Sequence, residues 1–71
     1  MNSQRRKQIR EAIVKIENLV QNILDAEQEA FANMPEGLQA STNGAASEEA
    51  QESLEAAIEA LEEAIVCLEE I

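Results

Sequence analysis

The residues best suited to bind a ligand are a cluster of cations early in the chain. Arg5, Arg6, Lys7 and Arg10 lie within six positions, and with Lys15 they make up all five basic residues. Guanidinium groups bind phosphate and carboxylate oxygens through paired N–H donors. The cluster therefore predicts one of two things: a site for a small anionic ligand such as a nucleotide, or an electrostatic partner for acidic residues elsewhere in the chain.

The rest of the charge is acidic. Only Glu11 opposes the cations within residues 1–15, and the other fourteen of the fifteen acidic residues follow without a base among them. The net charge of −10 disfavours binding to nucleic acid or to an anionic membrane. Acidic residues at this density favour a solvated helix face, which a host protein could contact; mimicry of the phosphates of DNA is the weaker alternative.

The composition argues against an enzyme. The chain has no His, Trp or Tyr, so the side chains that move protons near neutral pH or ligate transition metals are largely missing. We predict no catalytic residue, no metal site and no cofactor. The single cysteine, Cys67, fits a reducing compartment. Charges interrupt every apolar run before it could span a bilayer, and no signal peptide is visible, so we expect a cytoplasmic protein.

Turn-forming residues divide the chain into two helical segments. The stretch MPEGLQASTNGAA, residues 34–46, holds the only proline and both glycines. It predicts a connector between a first helix over about 3–33 and a second over about 47–71. Ser47, followed by Glu48 and Glu49, has the pattern of an N-cap with acids in the first turn.

Apolar residues recur in both segments at alternating spacings of three and four. Seven-residue repeats of this kind are typical of helices packed in bundles. The stripe on each helix is wider than one partner helix can cover, so a homo-oligomer is predicted. Its expected core consists of Ile9, Ile13, Ile16, Leu19, Val20, Ile23, Leu24, Phe31, Leu54, Ile58, Leu61, Ile65 and Leu68.

The helix dipoles predict how the two helices are arranged. Cations in the first turn of one helix and glutamates in the last turn of the other each oppose their own dipole. An antiparallel hairpin brings the two clusters together and allows Ile9, Ile16 and Ile23 to face the leucines of the second helix. The fold class is therefore all-α: a single-domain two-helix hairpin that assembles into a four-helix bundle or a higher symmetric homo-oligomer.

The connector is longer than most bundle loops and is a second candidate site. Its hydrogen-bonding groups and its one leucine form a candidate surface for contact with a partner, or else a solvated cap. The residues in question are Leu38, Gln39, Ser41, Thr42 and Asn43. Glu27, which stands where the stripe should be apolar, is interpreted as a polar group that sets the helix register.

The centre of the chain resembles a known group of proteins. The stretch EQEAFANMPEGLQAS at residues 27–41, the preceding RRK and the later LEEAI repeat resemble short proteins of bacteriophages and prophages. The resemblance implies a viral or mobile-element origin and a protein that acts by stoichiometric binding. The leading hypothesis is a non-enzymatic inhibitor of a host protein, in counter-defence or host takeover. A sponge for a small anionic nucleotide at a subunit junction, and a structural or assembly accessory, are the alternatives.

Overall fold

The computed structural model describes residues 2–71, which form three helices. Helix α1 spans Ser3–Ala32, α2 spans Glu36–Gln39 and α3 spans Thr42–Glu69. The two long helices, of 30 and 28 residues, run antiparallel as a hairpin, with α2 at its closed end. The described part of the chain is all-α, as predicted.

Helix α1 begins with a side-chain cap. Asn2 is in an extended conformation, and its Oδ1 accepts a hydrogen bond from the backbone N–H of Arg5 at 2.8 Å. The cap satisfies one of the free donors of the first turn. No acidic residue lies in that turn, so the dipole of α1 is opposed by the cations, as the sequence indicated.

The connector differs from its prediction. The non-helical part of residues 34–46 is short, because α2 forms within it and α3 begins at Thr42 rather than at Ser47. Ser41 occupies the N-cap position, and its hydroxyl donates to the carbonyl of Leu38 rather than to α3. Ser47 lies inside α3 and is buried. The Asn43-Gly44 pair makes no turn, because it lies in the first turn of α3; no described glycine has a positive φ.

Gly44 is required for a close approach. A Cβ at this position would lie 1.9 Å from the carbonyl oxygen of Gln39. The bare backbone of α3 therefore packs directly on the end of α2. Gln39 in turn uses its side-chain amide to donate to the carbonyls of Phe31, at 3.0 Å, and Met34, at 3.1 Å. It thereby gives a donor to the carbonyl of Met34, just beyond α1, and a second donor to the carbonyl of Phe31, which also accepts from the backbone N–H of Met34.

The seam between α1 and α3 lies one residue away from its expected position. Ile16 and Ile23 are each 50% exposed, so the prediction that they face the leucines of the second helix is wrong. The less exposed set on α1, spaced by three and four, is Ile13, Glu17, Val20, Leu24, Glu27 and Phe31. Its partners on α3 are Ser47, Gln51, Leu54, Ile58, Leu61, Ile65 and Leu68. The stripe is broader than one helix can cover, and the hairpin closes on the half that includes Leu24 and Phe31.

The molecule is thin and elongated. Its principal extents are 54 × 15 × 11 Å and its radius of gyration is 16.3 Å, against roughly 11 Å for a compact chain of this length. Leu24, 5% exposed, is the only large apolar side chain among the described residues that is buried. A single layer of two helices has no interior, so most apolar residues are covered on one side only.

The hairpin presents two different faces. On both helices the residue just before each seam residue is small or apolar. The residue just after it is mostly glutamate on α3 and is polar at four of the six α1 positions, with Val14 and Ala32 as the exceptions. Two antiparallel helices viewed from one end turn in opposite senses. The residues that precede the seam residues therefore lie on the same side of the hairpin in both helices, and the residues that follow them lie on the other side. We call the first of these sides the apolar face. It consists of one row on α1, at positions 5, 9, 12, 16, 19, 23, 26 and 30, and one row on α3 and the residues after it, at positions 46, 50, 53, 57, 60, 64, 67 and 71. The acidic row on the other side comprises Glu48, Glu52, Glu55, Glu59, Glu62 and Glu69, interrupted by Val66.

Candidate functional site

The first turns of α1 and the last turn of α3 form a groove at the open end of the hairpin. It has a volume of about 350 Å³. Its lining consists of Ser3, Arg6, Lys7, Arg10, Leu68 and Glu69, and we call it the basic groove. Three of the four predicted ligand-binding residues thus line one depression. Arg5 does not line it, because its position on the helix belongs to the apolar face.

One ion pair crosses the basic groove. The Nη1 atom of Arg10 lies 3.0 Å from Oε1 of Glu69. Both side chains are more than half exposed, so the pair contributes at most about 1 kcal/mol. It shows that α1 cations and α3 glutamates meet at this end, as the antiparallel arrangement requires. The pair also occupies one of the three cations of the groove.

Arg6 is a cation of the basic groove with a buried donor that lacks an acceptor in the described part of the chain. Its side chain is half-buried, and its Nε is buried without a hydrogen-bond partner among the described residues. A buried donor of this kind is costly when left unpaired. An anionic group in the groove would pair with the guanidinium charge of Arg6, with Lys7 and the hydroxyl of Ser3 beside it.

The five residues of the predicted contact loop have different environments. Leu38 is 47% exposed, and Thr42 and Asn43 are exposed in the first turn of α3. Gln39 and Ser41 donate hydrogen bonds to backbone carbonyls of the same chain. The first three side chains are therefore available to a partner, while the last two hold the closed end together.

Polar residues also lie within the seam near the closed end. The hydroxyl of Ser47 donates to Oε1 of Glu27 at 2.7 Å, and Gln51 donates to the same hydroxyl at 3.4 Å. This cluster joins α1 to α3 at one height and agrees with the interpretation of Glu27 as a register-setting group. Ser47 was expected at the helix start, so the sequence carried no signal for this contact. Further along the seam, Oε2 of Glu17 is buried without a partner in the described structure.

Two further searches of residues 2–71 concern metals and membranes. No group of three or more Asp, Glu or Cys side chains in this range is arranged to hold a metal ion. None of the helices described combines the length and the hydropathy needed to cross a bilayer. The lone cysteine, Cys67, is exposed and unbridged.

Comparison with known proteins assigns the chain to no group. No protein-family model matches it, and no curated protein or solved structure does so at a significant level. The site must therefore be interpreted from its own geometry.

Proposed function

We propose that the protein is a non-enzymatic binding protein that works as a homo-oligomer of helical hairpins. The observation that supports this most directly is the apolar face. On α1 it exposes half or more of each of Ile16, Leu19 and Ile23. Monomeric proteins rarely leave such a continuous apolar surface open to water.

The surface area agrees with association. The chain exposes 5221 Å², whereas a compact protein of 7.8 kDa exposes roughly 4,400 Å². The excess of about 800 Å² is close to what each partner contributes to a standard interface. Two hairpins that pack their apolar faces together would form a four-helix bundle.

The acidic row is then the surface that remains for another molecule. It lies on the side of the hairpin opposite the apolar face, so association between copies leaves it exposed. Six glutamates along one edge of α3 complement a basic protein surface, and the charge would accelerate encounter with it. The acidic row supports a stoichiometric inhibitor that occupies a basic surface of a host protein; the phage or prophage setting of this proposal is supported by the sequence resemblance alone.

A binding measurement tests this proposal. A candidate partner is first captured from host-cell extract, then purified and titrated calorimetrically against the protein. We expect saturable binding at a fixed molar ratio that weakens at least tenfold when Glu55, Glu59 and Glu62 are all changed to Gln. A matched variant, Gln4→Ala and Gln8→Ala, alters α1 without touching the row and should bind normally. Equal affinity for both variants would refute the role of the acidic row.

The basic groove favours a second function. A nucleotide phosphate in the groove would pair with Arg6 and Lys7, and the presence of three cations in one groove supports this alternative. A thermal-shift screen with linear and cyclic nucleotides tests it, because a ligand that binds only the folded protein raises the melting temperature. The shift should disappear in Arg6→Ala and persist in Lys15→Ala, which lies outside the groove. If no nucleotide shifts the melting temperature, the sponge hypothesis fails; if no host protein binds either, a structural accessory role is favoured.

A further inference from the structure

The apolar face has an internal symmetry that bears on how two copies meet. Its α1 row runs Arg5, Ile9, Ala12, Ile16, Leu19, Ile23, Ala26, Ala30, with spacings of four and three that read the same in both directions. The midpoint falls between positions 17 and 18. The α3 row runs from Ala46 to Cys67 and is extended by Ile71, which follows the end of α3 at Glu69; with Ile71 it has the same spacings and a midpoint between 58 and 59.

The two midpoints lie at the same height in the hairpin. The pairs Arg10–Glu69 and Glu27–Ser47 show which residues of α1 and α3 are level. In antiparallel helices, residues at the same height have a nearly constant sum of residue numbers. This sum is 79 and 74 for the two pairs, and it is 76 for the two midpoints. One two-fold axis, perpendicular to the helix axes and lying between the two apolar faces, can therefore pass over both midpoints and map each row onto the same row of a second copy.

This axis also gives complementary side chains. It places Ile9 opposite Ala26 and Ala12 opposite Ile23 of the second copy, so that a large residue meets a small one. Ile16 meets Leu19 at the centre. The α3 row is almost entirely small, which allows the two α3 backbones to approach closely, and it places Ala50 opposite Cys67.

Packing alone does not choose between the two orientations. If the hairpins met with their open ends together, each α1 row would face the small α3 row of the other copy, and large residues would again meet small ones. Charge distinguishes the orientations. The open half, residues 1–16 and 57–71, holds five basic and six acidic residues, a net charge of −1. The closed half, residues 17–56, holds nine acidic residues and no base, a net charge of −9.

We propose that the protein forms a head-to-tail dimer, in which the open end of each hairpin lies beside the closed end of the other. This orientation separates the two strongly acidic halves, whereas the opposite orientation presses them together. Helix α1 then packs on α1 of the second copy, and α3 on α3. The inference rests on the homo-oligomer of the proposed function and adds its orientation and its contacts.

The orientation determines where ligands would bind. The two basic grooves lie at opposite ends of the bundle and do not merge. Each adjoins the closed end of the second copy, because Arg5 lies opposite Ala30 there. A dimer that binds a small anion in these grooves would therefore bind two molecules at independent sites.

Disulfide trapping with the native cysteine tests the orientation. In the head-to-tail dimer an Ala50→Cys variant places its new thiol opposite Cys67 of the second copy at both symmetric positions. Within one chain these positions are 17 residues apart, roughly 25 Å along the helix, and cannot bridge. The matched control is Ile9→Cys, which faces Cys67 of the second copy only if the open ends meet; because positions 9 and 67 are also level within one chain, titration of free thiols after oxidation detects any bridge within the chain.

We expect mild oxidation to convert most of Ala50→Cys to a covalent dimer on a non-reducing gel, with Ile9→Cys and the unaltered protein migrating as single chains. A second variant, Ser53→Cys with Ala64→Cys and Cys67→Ala, should also be trapped. A covalent dimer from Ile9→Cys would overturn the orientation while leaving the oligomer intact. A dimer by sedimentation that neither cysteine variant traps would also overturn it. A folded single chain in sedimentation of the unaltered protein would overturn both the orientation and the proposed oligomer.

Discussion

Gly44 offers the sharpest test of the closed end, because two opposing effects act on one methyl group. In an open helix position, replacing Gly with Ala stabilises the fold by up to about 1 kcal/mol. At Gly44 the added Cβ would lie 1.9 Å from the carbonyl oxygen of Gln39 and 2.7 Å from its Cα. Both neighbours are backbone, so α2 must move away from α3.

The cost can be assembled from the contacts that this movement disturbs. Overpacking against backbone costs about 1–3 kcal/mol. The amide of Gln39 also loses its hydrogen bonds to Phe31 and Met34, each contributing about 1 kcal/mol. After subtracting the gain in helix propensity, we expect Gly44→Ala to destabilise the protein by about 2–4 kcal/mol. That is a large part of the about 3–5 kcal/mol available to a chain of this size.

Thermal unfolding followed by circular dichroism measures the effect, with every variant at the same protein concentration because association shifts the midpoint. The melting temperature should fall by roughly 10–20 °C for a domain of this length. Gly37 supplies the control, since a Cβ there meets nothing within 4 Å and Gly37→Ala should be neutral or stabilising. An increase in melting temperature for Gly44→Ala would show that α2 does not pack on α3 as described.

Four further substitutions distinguish the seam from the surface; thermal unfolding measures three of them, and circular dichroism with sedimentation measures Leu19→Ala. Leu24→Ala removes the one buried apolar side chain of the seam and should destabilise by about 2–5 kcal/mol. Leu19→Ala, on a residue 60% exposed in one hairpin, should leave helicity intact and instead weaken self-association in sedimentation; equal effects of the two changes on helicity would contradict the seam described. Glu17→Leu replaces a carboxylate whose Oε2 is buried without a partner. The free energy of unfolding should therefore increase by about 1 kcal/mol or more, and the melting temperature should rise. Ser47→Ala leaves Glu27 without its cross-helix donor and should cost about 1–2 kcal/mol, whereas a change within error would show that water replaces the hydroxyl.

The sequence predicted the class of fold because its signals are local. Alternating spacings of three and four specify helices with an apolar stripe whatever lies beside them, and helix-breaking residues separate the two segments. Opposed helix dipoles then favour the antiparallel hairpin, and the ion pair between Arg10 and Glu69 lies where this reasoning placed it. The grouping of Arg6, Lys7 and Arg10 into one groove follows from their spacing on one helix together with that orientation.

Tertiary structure decided which half of the broad stripe closes the hairpin. Ile16 and Ile23 are as apolar as Ile13 and Val20, so periodicity alone cannot rank them; the difference is a rotation of the helix by one residue, and packing across the seam sets it. The same holds at the closed end. The Asn43-Gly44 pair has the composition of a turn, yet Gly44 lies within α3. There its missing side chain allows a backbone contact with Gln39 of α2, which the composition does not predict. Local propensity is encoded residue by residue, whereas the choice between equivalent faces depends on which contacts the whole chain can make at once.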